Sequence, residues 1–186
     1  MRCKDKDLEG LTIEPYVETQ NSEMTFSDEE ITNYYDLIVG EGVSHLAFYN
    51  KTNYSSQDFL RDMKDKSCAL WILKIKGKLA GGFLLDGFQG KAAFSHFYSA
   101  RFTWGGLNVK IFREAAKMLL TYESEPGVYA LDVLIGLTPV SQQKVHDFID
   151  NVGCKYLCII PNMTYNAAKK CSEPGRLSYF DRECFK

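Results

Sequence analysis

Three consecutive strand-like segments in the middle of the chain constrain its fold more than any other feature. The first two, CALWILKI (68–75) and LAGGFLLD (79–86), are apolar and flank a Lys-Gly-Lys tripeptide, a spacing typical of a β-hairpin. The third, AAFSHFYS (92–99), follows closely, and we expect it to pair antiparallel with the second. An antiparallel unit of three strands therefore forms the middle of the predicted sheet.

One strand and two helices precede this unit. LTIEPYV (11–17) alternates apolar and polar residues, as a half-buried strand does. Ser27 and Glu30 have the spacing of a capping box, which predicts that a helix begins here and continues until glycines stop it after residue 39. SSQDFLRDMKD (55–65) predicts a second helix.

Helices and strands alternate after the unit. Apolar residues at helical spacing predict a helix from Val109 to about Tyr122, with Asn108 as its N-cap. ESEPG (123–127) reads as a turn. VYALDVLIGL (128–137) is almost entirely apolar, which predicts one long central strand buried on both faces.

The C-terminal part supplies one more helix and two strands. A helix is predicted to begin at Thr138-Pro139 and to end at Gly153. CKYLCII (154–160) and RLSYFDREC (176–184) are predicted strands, and the 15 residues between them are interpreted as a surface excursion. The resulting order, β-α-α-β-β-β-α-β-α-β-β, predicts an α/β (α+β) fold in one domain, residues 1–186, with helices on both faces of a mixed, mostly antiparallel sheet.

Composition and charge argue against several classes of function. A formal net charge of −2 disfavours nucleic-acid binding, and no apolar run is long enough to span a bilayer. The charged N-terminus, without an apolar stretch behind it, predicts a cytoplasmic protein. Cys154 and Cys158 would share one face of a strand, but their spacing is not that of a zinc site. We therefore expect no metal and interpret the cysteines as buried free thiols.

The junction ARFTWGGLNVKIF (100–112) carries adjacent glycines between a predicted strand and a predicted helix. With the element order, this junction resembles the phosphate-binding loop of the GNAT superfamily, the acyl-CoA-dependent N-acetyltransferases. LKIKGKLAGGFLLD (73–86) and LIGLTPVSQQKVHDFIDNVGCKYLCIIP (134–161) are similar to two further units of that family. The resemblance covers residues 70–161, and 162–186 form a C-terminal excursion and last strand.

The family motif, Q/R-x-x-G-x-G/A, is only partly kept. Phe102 takes the Gln/Arg position, Gly105 keeps the first glycine, and Leu107 replaces the second. The resemblance implies acetyl-CoA as cosubstrate, with its pyrophosphate on the helix N-terminus and its pantetheine arm along the preceding strand. The implied cosubstrate-binding residues are Phe97, Tyr98, Ser99, Trp104, Gly105, Gly106, Leu107, Asn108, Val109 and Lys110.

Several of these residues have two interpretations. Trp104 either covers the cosubstrate, by stacking on adenine or by its indole N–H, or fills the space at the head of the helix. The Lys110 ammonium group either binds a phosphate of the cosubstrate or is exposed to solvent. Trp104 and Leu107 are expected to crowd the two glycines. Arg101 either approaches a phosphate or pairs with a surface acid.

His96 is the candidate general base, because family members often place a base on this strand and an imidazole titrates near neutrality. The alternative is a hydrogen-bonded histidine in a packed strand. At the positions where many family members carry Asn and the acid Tyr, this chain has Gln142 and Ile149. A tyrosine from elsewhere, Tyr98, Tyr165 or Tyr179, could supply the proton. His146 is expected at the surface or at a helix cap.

Two functions of different classes follow from the resemblance. The first is an N-acetyltransferase that transfers an acetyl group to an unidentified amine by direct attack in a ternary complex. The second is a catalytically inactive GNAT-fold binding or assembly protein. Loops with Trp-Gly at this place are similar to those of acetyltransferase-like proteins of phages and prophages, so the partner could be a phage protein or, in a homo-oligomer, a second copy.

Overall fold

The computed structural model describes residues 6–19 and 21–186, which form a seven-stranded sheet and a small hairpin. The strands of the large sheet are β1 (Leu11–Pro15), β2 (Ala69–Ile75), β3 (Lys78–Gln89), β4 (Ala92–Ser99), β7 (Val133–Pro139), β8 (Lys155–Asn166) and β9 (Cys171–Asp181). The hairpin pairs β5 (Glu123–Glu125) with β6 (Val128–Tyr129). In space the large sheet has the order β1-β2-β3-β4-β7-β9-β8.

Five helices cover this sheet on both faces. They are α1 (Asp28–Gly40), α2 (Ser44–Ala47), α3 (Ser56–Met63), α4 (Gly106–Thr121) and α5 (Gln143–Val152). The predicted capping box at the start of α1 is confirmed: Ser27 Oγ accepts from the Glu30 N–H, and the Glu30 carboxylate accepts from the Ser27 N–H. A second box forms at α3, with Ser55 and Asp58 in the same roles.

Two apolar clusters, one on each face, hold the layers together. On one face, α1 and α3 place Ile31, Ile38 and Phe59 against the sheet, all at most 1% exposed. On the other face, α4 buries Ile111 and Leu120 against strands β3, β7 and β9. Of the strand pairs in the large sheet, β4 with β7 is parallel and the others are antiparallel. The predicted fold class is therefore confirmed.

The predicted hairpin between β2 and β3 is also confirmed. Its turn consists of Lys76 and Gly77, which both have positive φ, 50° and 77°. Two successive residues of this kind make the turn whose twist matches the twist of the flanking strands. β4 then pairs antiparallel with β3, as expected.

The prediction of a single long strand at 128–137 is wrong. Residues 128–129 belong to the separate hairpin, whose turn includes Gly127 at φ +78°, so ESEPG contains a strand as well as a turn. The N–H of Asp132 donates to the carbonyl of Lys91, and its carboxylate binds Arg182. These contacts fix the chain between the two segments, and only β7 joins the large sheet.

Two C-terminal boundaries also differ from the prediction. Thr138 and Pro139 pair with Arg176 and Gly175 of β9, so β7 continues where a helix was expected and α5 begins only at Gln143. The surface excursion predicted at 161–175 is wrong, because β8 and β9 extend through it as a long hairpin. The tip of this hairpin docks on the α2–α3 connection through a 2.9 Å hydrogen bond from Ala167 N–H to the Tyr49 carbonyl.

Candidate active site

A gap opens in the sheet where its two parallel strands separate. β4 and β7 pair over three positions, ending at Phe94 opposite Ile135, and then diverge. The cavity between them has a volume of about 110 Å³. Ser95 and Phe97 line it from β4, Gly136 lines it from β7, and α5 contributes further apolar side chains. The strand edges in this gap offer backbone groups to a ligand.

Helix α4 begins beside this gap with an open N-terminus. Its N-cap is Gly105, whose φ of 101° and ψ of −145° belong to a region essentially restricted to glycine. Among the residues that the structure describes, no side chain caps the helix, and both Gly105 and Gly106 are exposed. Asn108 is therefore not the N-cap, because the turn at Gly105 starts the helix earlier and places Asn108 within its first turn. The first N–H groups of such a helix lack intrahelical acceptors and form an anion site.

The side chains next to the two glycines have contacts of their own. The Trp104 indole N–H donates to the carbonyl of Ser99 at 3.0 Å, and the ring is 49% exposed. Leu107 packs against the core cluster on the α4 side. Apart from chain neighbours and the nearby backbone of α4, no atom of the described residues lies within 4 Å of a Cβ built on Gly105 or Gly106. The indole N–H is already engaged, while the crowding of each glycine by its own chain neighbour, Trp104 or Leu107, stays a prediction.

A second cavity, of about 280 Å³, connects the helix start with the strand gap. Phe97, Tyr98 and Ser99 line it from β4, and Gly105 and Asn108 line it from the start of α4. The Lys144 side chain of α5 also lines it. Lys110 points elsewhere, since its ammonium group pairs with Asp7. Val109 is half-buried in the first turn of α4 and packs against the core.

His96 lies between two cavities. Its Nε2 is 3.2 Å and 3.3 Å from the two carboxylate oxygens of Asp86 on the neighbouring strand. It lines the gap between β4 and β7, and also a cavity of about 220 Å³ on the α3 side. The cavity on the α3 side is lined by the carboxylates of Asp62, Asp65 and Asp86, and by the positively charged side chain of Lys51. The imidazole projects from the α3 side of the sheet, and the residue also borders the gap between β4 and β7.

Tyr98 is held away from the gap. Its hydroxyl donates to Glu41 Oε2 at 2.6 Å, and the residue is 7% exposed. Burial, together with the hydrogen bond and negative charge of Glu41, raises the pKa of Tyr98 above its ordinary value. The side chain packs edge-on against Tyr34 in the α1-side core. The Tyr98 hydroxyl therefore already donates its proton in a hydrogen bond to a fixed acceptor, the Glu41 carboxylate.

Tyr179 faces the gap from the opposite side. Phe94 of β4 is in register with Ile135 of β7, which in turn is in register with Tyr179 of β9. Residues in register point to one face, and His96 lies two positions beyond Phe94, so His96 and Tyr179 project from the same face of the sheet. Both line the 110 Å³ cavity, as do Gln142 and Ile149, whereas Tyr165 is exposed on β8.

His146 and the cysteines differ from their predicted settings. His146 is 5% exposed, with Nε2 at 3.0 Å from the Pro139 carbonyl, because it faces the sheet from the first turns of α5. Cys154 is half-buried against the core, and burial raises the pKa of its thiol to about 12. Cys158 is exposed, because a bulge at Leu157 breaks the alternation that would have put both cysteines on one face.

Within residues 6–19 and 21–186, no group of three or more His, Cys, Asp or Glu side chains is arranged to hold a metal ion. No helix in the same ranges is long and apolar enough to cross a membrane. Cys3 lies outside these ranges.

Three side chains of the site were missed by sequence reasoning. Asp86 ends an apolar strand segment, and pairing it opposite Phe94 would have placed it diagonally from His96. Glu41 follows α1 directly, and its link to Tyr98 spans 57 residues, so no local pattern signals it. Lys144 reads as an ordinary surface lysine of a helix.

No protein-family model matches the sequence, and no curated protein matches it in sequence. Solved structures match in fold. The acetyltransferase from Salmonella typhimurium that modifies the N-terminal serine of ribosomal protein L7/L12 superposes with a TM-score of 0.70 at 9% identity, covering 92% of this chain and 95% of that chain. The spermidine N-acetyltransferase from Vibrio cholerae, in complex with CoA and spermine, gives 0.68 at 10% identity, with 95% and 98% covered.

A third structure, the RimL ribosomal L7/L12 α-N-protein acetyltransferase in complex with coenzyme A, gives a TM-score of 0.65 at 9% identity, with 94% and 96% covered. These structural neighbours are GNAT acetyltransferases. The chain therefore has the GNAT fold along nearly its whole length.

Proposed function

We propose that this protein is an N-acetyltransferase that moves an acetyl group from acetyl-CoA to an amine by direct attack in a ternary complex. One observation carries the proposal: His96, paired with Asp86, stands between a strand gap that leads to an open helix N-terminus and a separate acidic cavity. The three solved structures named above are acetyltransferases of protein N-termini and of spermidine, and two of the three contain CoA. Fold alone does not fix function, so the site carries the argument.

The residues around the gap fit acetyl-CoA. A pyrophosphate at the start of α4 would accept from the N–H groups that follow Gly105, and the absent Cβ of Gly106 leaves room for that approach. Lys144, which lines this cavity, and Arg101, whose guanidinium lies 5.6 Å from the centre of the Trp104 ring, would supply positive charge nearby. The pantetheine arm would lie along the exposed edge of β4, from Phe97 to Ser99. When bound, the cosubstrate supplies a thioester carbonyl that is activated for attack.

Within this site His96 acts as general base. Because Nε2 faces the Asp86 carboxylate, Nδ1 would take a proton from the substrate ammonium, directly or through one water, and the neutral amine would then attack. Asp86 holds the ring in one orientation and stabilises the charge that the imidazole gains. Tyr179, on the same sheet face across the gap, would return a proton to the leaving thiolate. Tyr98 positions β4 through its bond to Glu41.

The amine would reach His96 from the α3 side. The cavity there has three carboxylates and one lysine along its wall, and this balance favours a positively charged group. Asp62 is already bound by the Tyr54 hydroxyl at 2.7 Å. Asp86 is engaged by His96, so Asp65 is the carboxylate better placed to attract an ammonium group before it loses its proton.

The proposal is tested by calorimetric titration of acetyl-CoA and CoA into the purified protein. We expect binding in the micromolar range, and we expect Gly106→Val to weaken it at least tenfold, because the new side chain would cover the helix N–H groups. Gly40→Val is the matched control, since Gly40 is also in helical backbone with open space at its Cβ position. Absence of binding at millimolar CoA would contradict the proposal.

A catalytically inactive GNAT-fold binding protein is the second candidate. Ile149 favours it, because this apolar side chain lines the gap at the position where many family members carry the tyrosine that acts as general acid. The outcome that selects it is CoA binding without acetyl transfer to a panel of amines, including polyamines and peptides with free N-termini. A phage or prophage partner remains a prediction from the sequence of the Trp-Gly loop.

A further inference from the structure

The cavity in the gap between β4 and β7 continues beyond the point that a CoA sulfur would reach. Two aromatic rings mark that point: Phe97 of β4 and Phe148 of α5 are stacked, with 4° between their planes and 5.6 Å between their centroids. Both rings line the 280 Å³ cavity that begins at Gly105 and also the 110 Å³ cavity in the gap. A pantetheine arm lying along β4 would therefore bring its sulfur to these rings, with the 110 Å³ cavity ahead of it.

This cavity has an apolar closed end, lined by Phe112, Leu134 and Phe180. Leu134 pairs with Ala93 in the ladder between β4 and β7, so the backbone of the two strands closes the gap here. Phe180 is in register with Leu134 on β9 and packs edge-on against Phe112 of α4. None of the described residues that line the cavity is Asp, Glu, Lys or Arg. The closed end therefore suits an apolar group.

Two positions keep the space open. A Cβ built on Gly136 would meet only the Ser178 carbonyl oxygen, at 3.9 Å, apart from chain neighbours and among the described residues. Ile149 is shorter than the tyrosine that many family members carry at its position. The Ser95 hydroxyl donates to the Ile135 carbonyl at 3.3 Å. The Ser178 hydroxyl has no partner in the described part of the chain and is already shielded from solvent, so a carbon chain beside it would displace no water from it.

We propose that the acyl donor carries an apolar chain of three or four carbons, which extends from the thioester into the closed end. An apolar cavity of about 150 Å³ holds benzene, so this volume holds an acyl group of about four carbons, whereas acetyl has two. The inference rests on the proposed function, because it places an acyl-CoA in the gap. The chemistry of transfer is the same: the bond from nitrogen to the acyl carbon forms, the carbon–sulfur bond breaks, its electron pair leaves with sulfur, and the proton of the ammonium goes to His96.

Calorimetric titration of a CoA thioester series into the full chain tests this inference without a known amine. From acetyl-CoA through propionyl-CoA to butyryl-CoA, we expect affinity to rise about fourfold for each methylene, the equivalent of about 0.8 kcal/mol. Octanoyl-CoA should bind no tighter than butyryl-CoA, because the cavity is closed. Butyryl-CoA that binds no tighter than acetyl-CoA would overturn the inference and leave the proposed function intact. Absence of binding by CoA and by every thioester at millimolar concentration would overturn both.

Variants of Ile149 locate the chain. Ile149→Phe narrows the cavity and should abolish the preference for butyryl-CoA over acetyl-CoA, while Ile149→Ala widens it and should extend the rise in affinity to hexanoyl-CoA. Val39→Phe is the control, since Val39 on α1 is 46% exposed and should keep the wild-type preference. The readout is the ratio of two affinities within one variant, which a general loss of stability does not imitate.

Gly136→Ala provides a second variant if Ile149→Phe does not fold. It narrows the cavity from the strand side and should also lower the ratio of butyryl-CoA to acetyl-CoA affinity. A ratio that is the same in the wild type and in every folded variant at positions 136 and 149 would place the chain elsewhere and overturn the inference.

Discussion

The hydroxyl of Tyr98 donates a 2.6 Å hydrogen bond to Glu41, and so ties the end of β4 to the residue that caps α1. The same carboxylate oxygen accepts from the Arg101 N–H at 2.8 Å. One side chain thus fixes both the strand that borders the gap and the loop that leads to Gly105. The shape of the proposed CoA site depends on a residue that does not line it.

Replacing Glu41 by alanine should destabilise the fold and weaken CoA binding together. Loss of the acceptor leaves the buried Tyr98 hydroxyl unsatisfied, which costs about 1–3 kcal/mol. Glu41→Gln keeps an oxygen acceptor and should cost less. Urea unfolding measures the first effect and calorimetry the second. Equal stability of Glu41→Ala and the wild type would show that the bond contributes nothing in solution.

Replacing His96 by alanine should lower kcat by about 10²- to 10⁴-fold, the usual contribution of a general base. KM for acetyl-CoA should change little, because the His96 ring lies away from the start of α4, where the pyrophosphate would bind. Asp86→Asn should lower kcat by a smaller factor, since the imidazole remains while its partner loses charge. Steady-state kinetics with an accepted amine provides the readout. An unchanged kcat in His96→Ala would exclude the base role.

Tyr179→Phe should lower kcat at least tenfold if Tyr179 protonates the leaving thiolate. Tyr165→Phe is the control, because Tyr165 is exposed on β8 and should retain full activity. The loss should be smaller with an acyl donor whose leaving group needs no proton. Similar rates for the two variants would mean that water, and not Tyr179, protonates the leaving thiolate.

Glu173 should make the β8–β9 hairpin sensitive to acid. Hydrogen bonds from Lys169 and Ser141, with that of Asn166, hold the pKa of the Glu173 carboxyl below its ordinary value. A lowered folded-state pKa stabilises the protein above the unfolded value of about 4.3, and this stabilisation disappears as the pH falls through the folded value. The stability difference between wild type and Glu173→Gln should therefore shrink between pH 5 and pH 3. A difference that stays constant over this range would refute the assignment.

Gly105→Ala should destabilise the protein by about 1–3 kcal/mol, because its φ of 101° and ψ of −145° are essentially inaccessible to other residues. Gly106→Ala has ordinary helical backbone and open space, so it should be neutral or more stable by up to about 1 kcal/mol. Thermal unfolding of both variants distinguishes the two positions. The reverse order of stability would mean that the loop has a different conformation.

The sequence predicted the fold where periodicity and turn chemistry agreed. The capping box at Ser27 and the turn at Lys76-Gly77 depend on residues close in the chain, and both were found as expected. The strand break before β7 depends on Lys91 and Arg182, which bind Asp132 from distant parts of the chain. The continuation of β8 past Pro161 likewise depends on pairing with β9, which no local pattern reveals.

The candidate site could be predicted only in part. The glycine pair indicated the place of the loop, but the start of α4 depended on the φ of Gly105, and Asn108 looked like the better cap. His96 was found because its strand was identified. Its partner Asp86 required the register between β3 and β4, and Glu41 required the packing of α1 against the end of β4.

The three-residue ladder between β4 and β7 also has a consequence for folding cooperativity. It is the main backbone connection between the half of the sheet built from β1 to β4 and the half built from β7 to β9. A ligand whose amide groups span the gap would form the backbone hydrogen bonds that the diverging strands lack, and would couple the two halves of the sheet. Hydrogen exchange near Phe97 and Gly136 should then slow when CoA binds, as two weakly linked units become one cooperative unit.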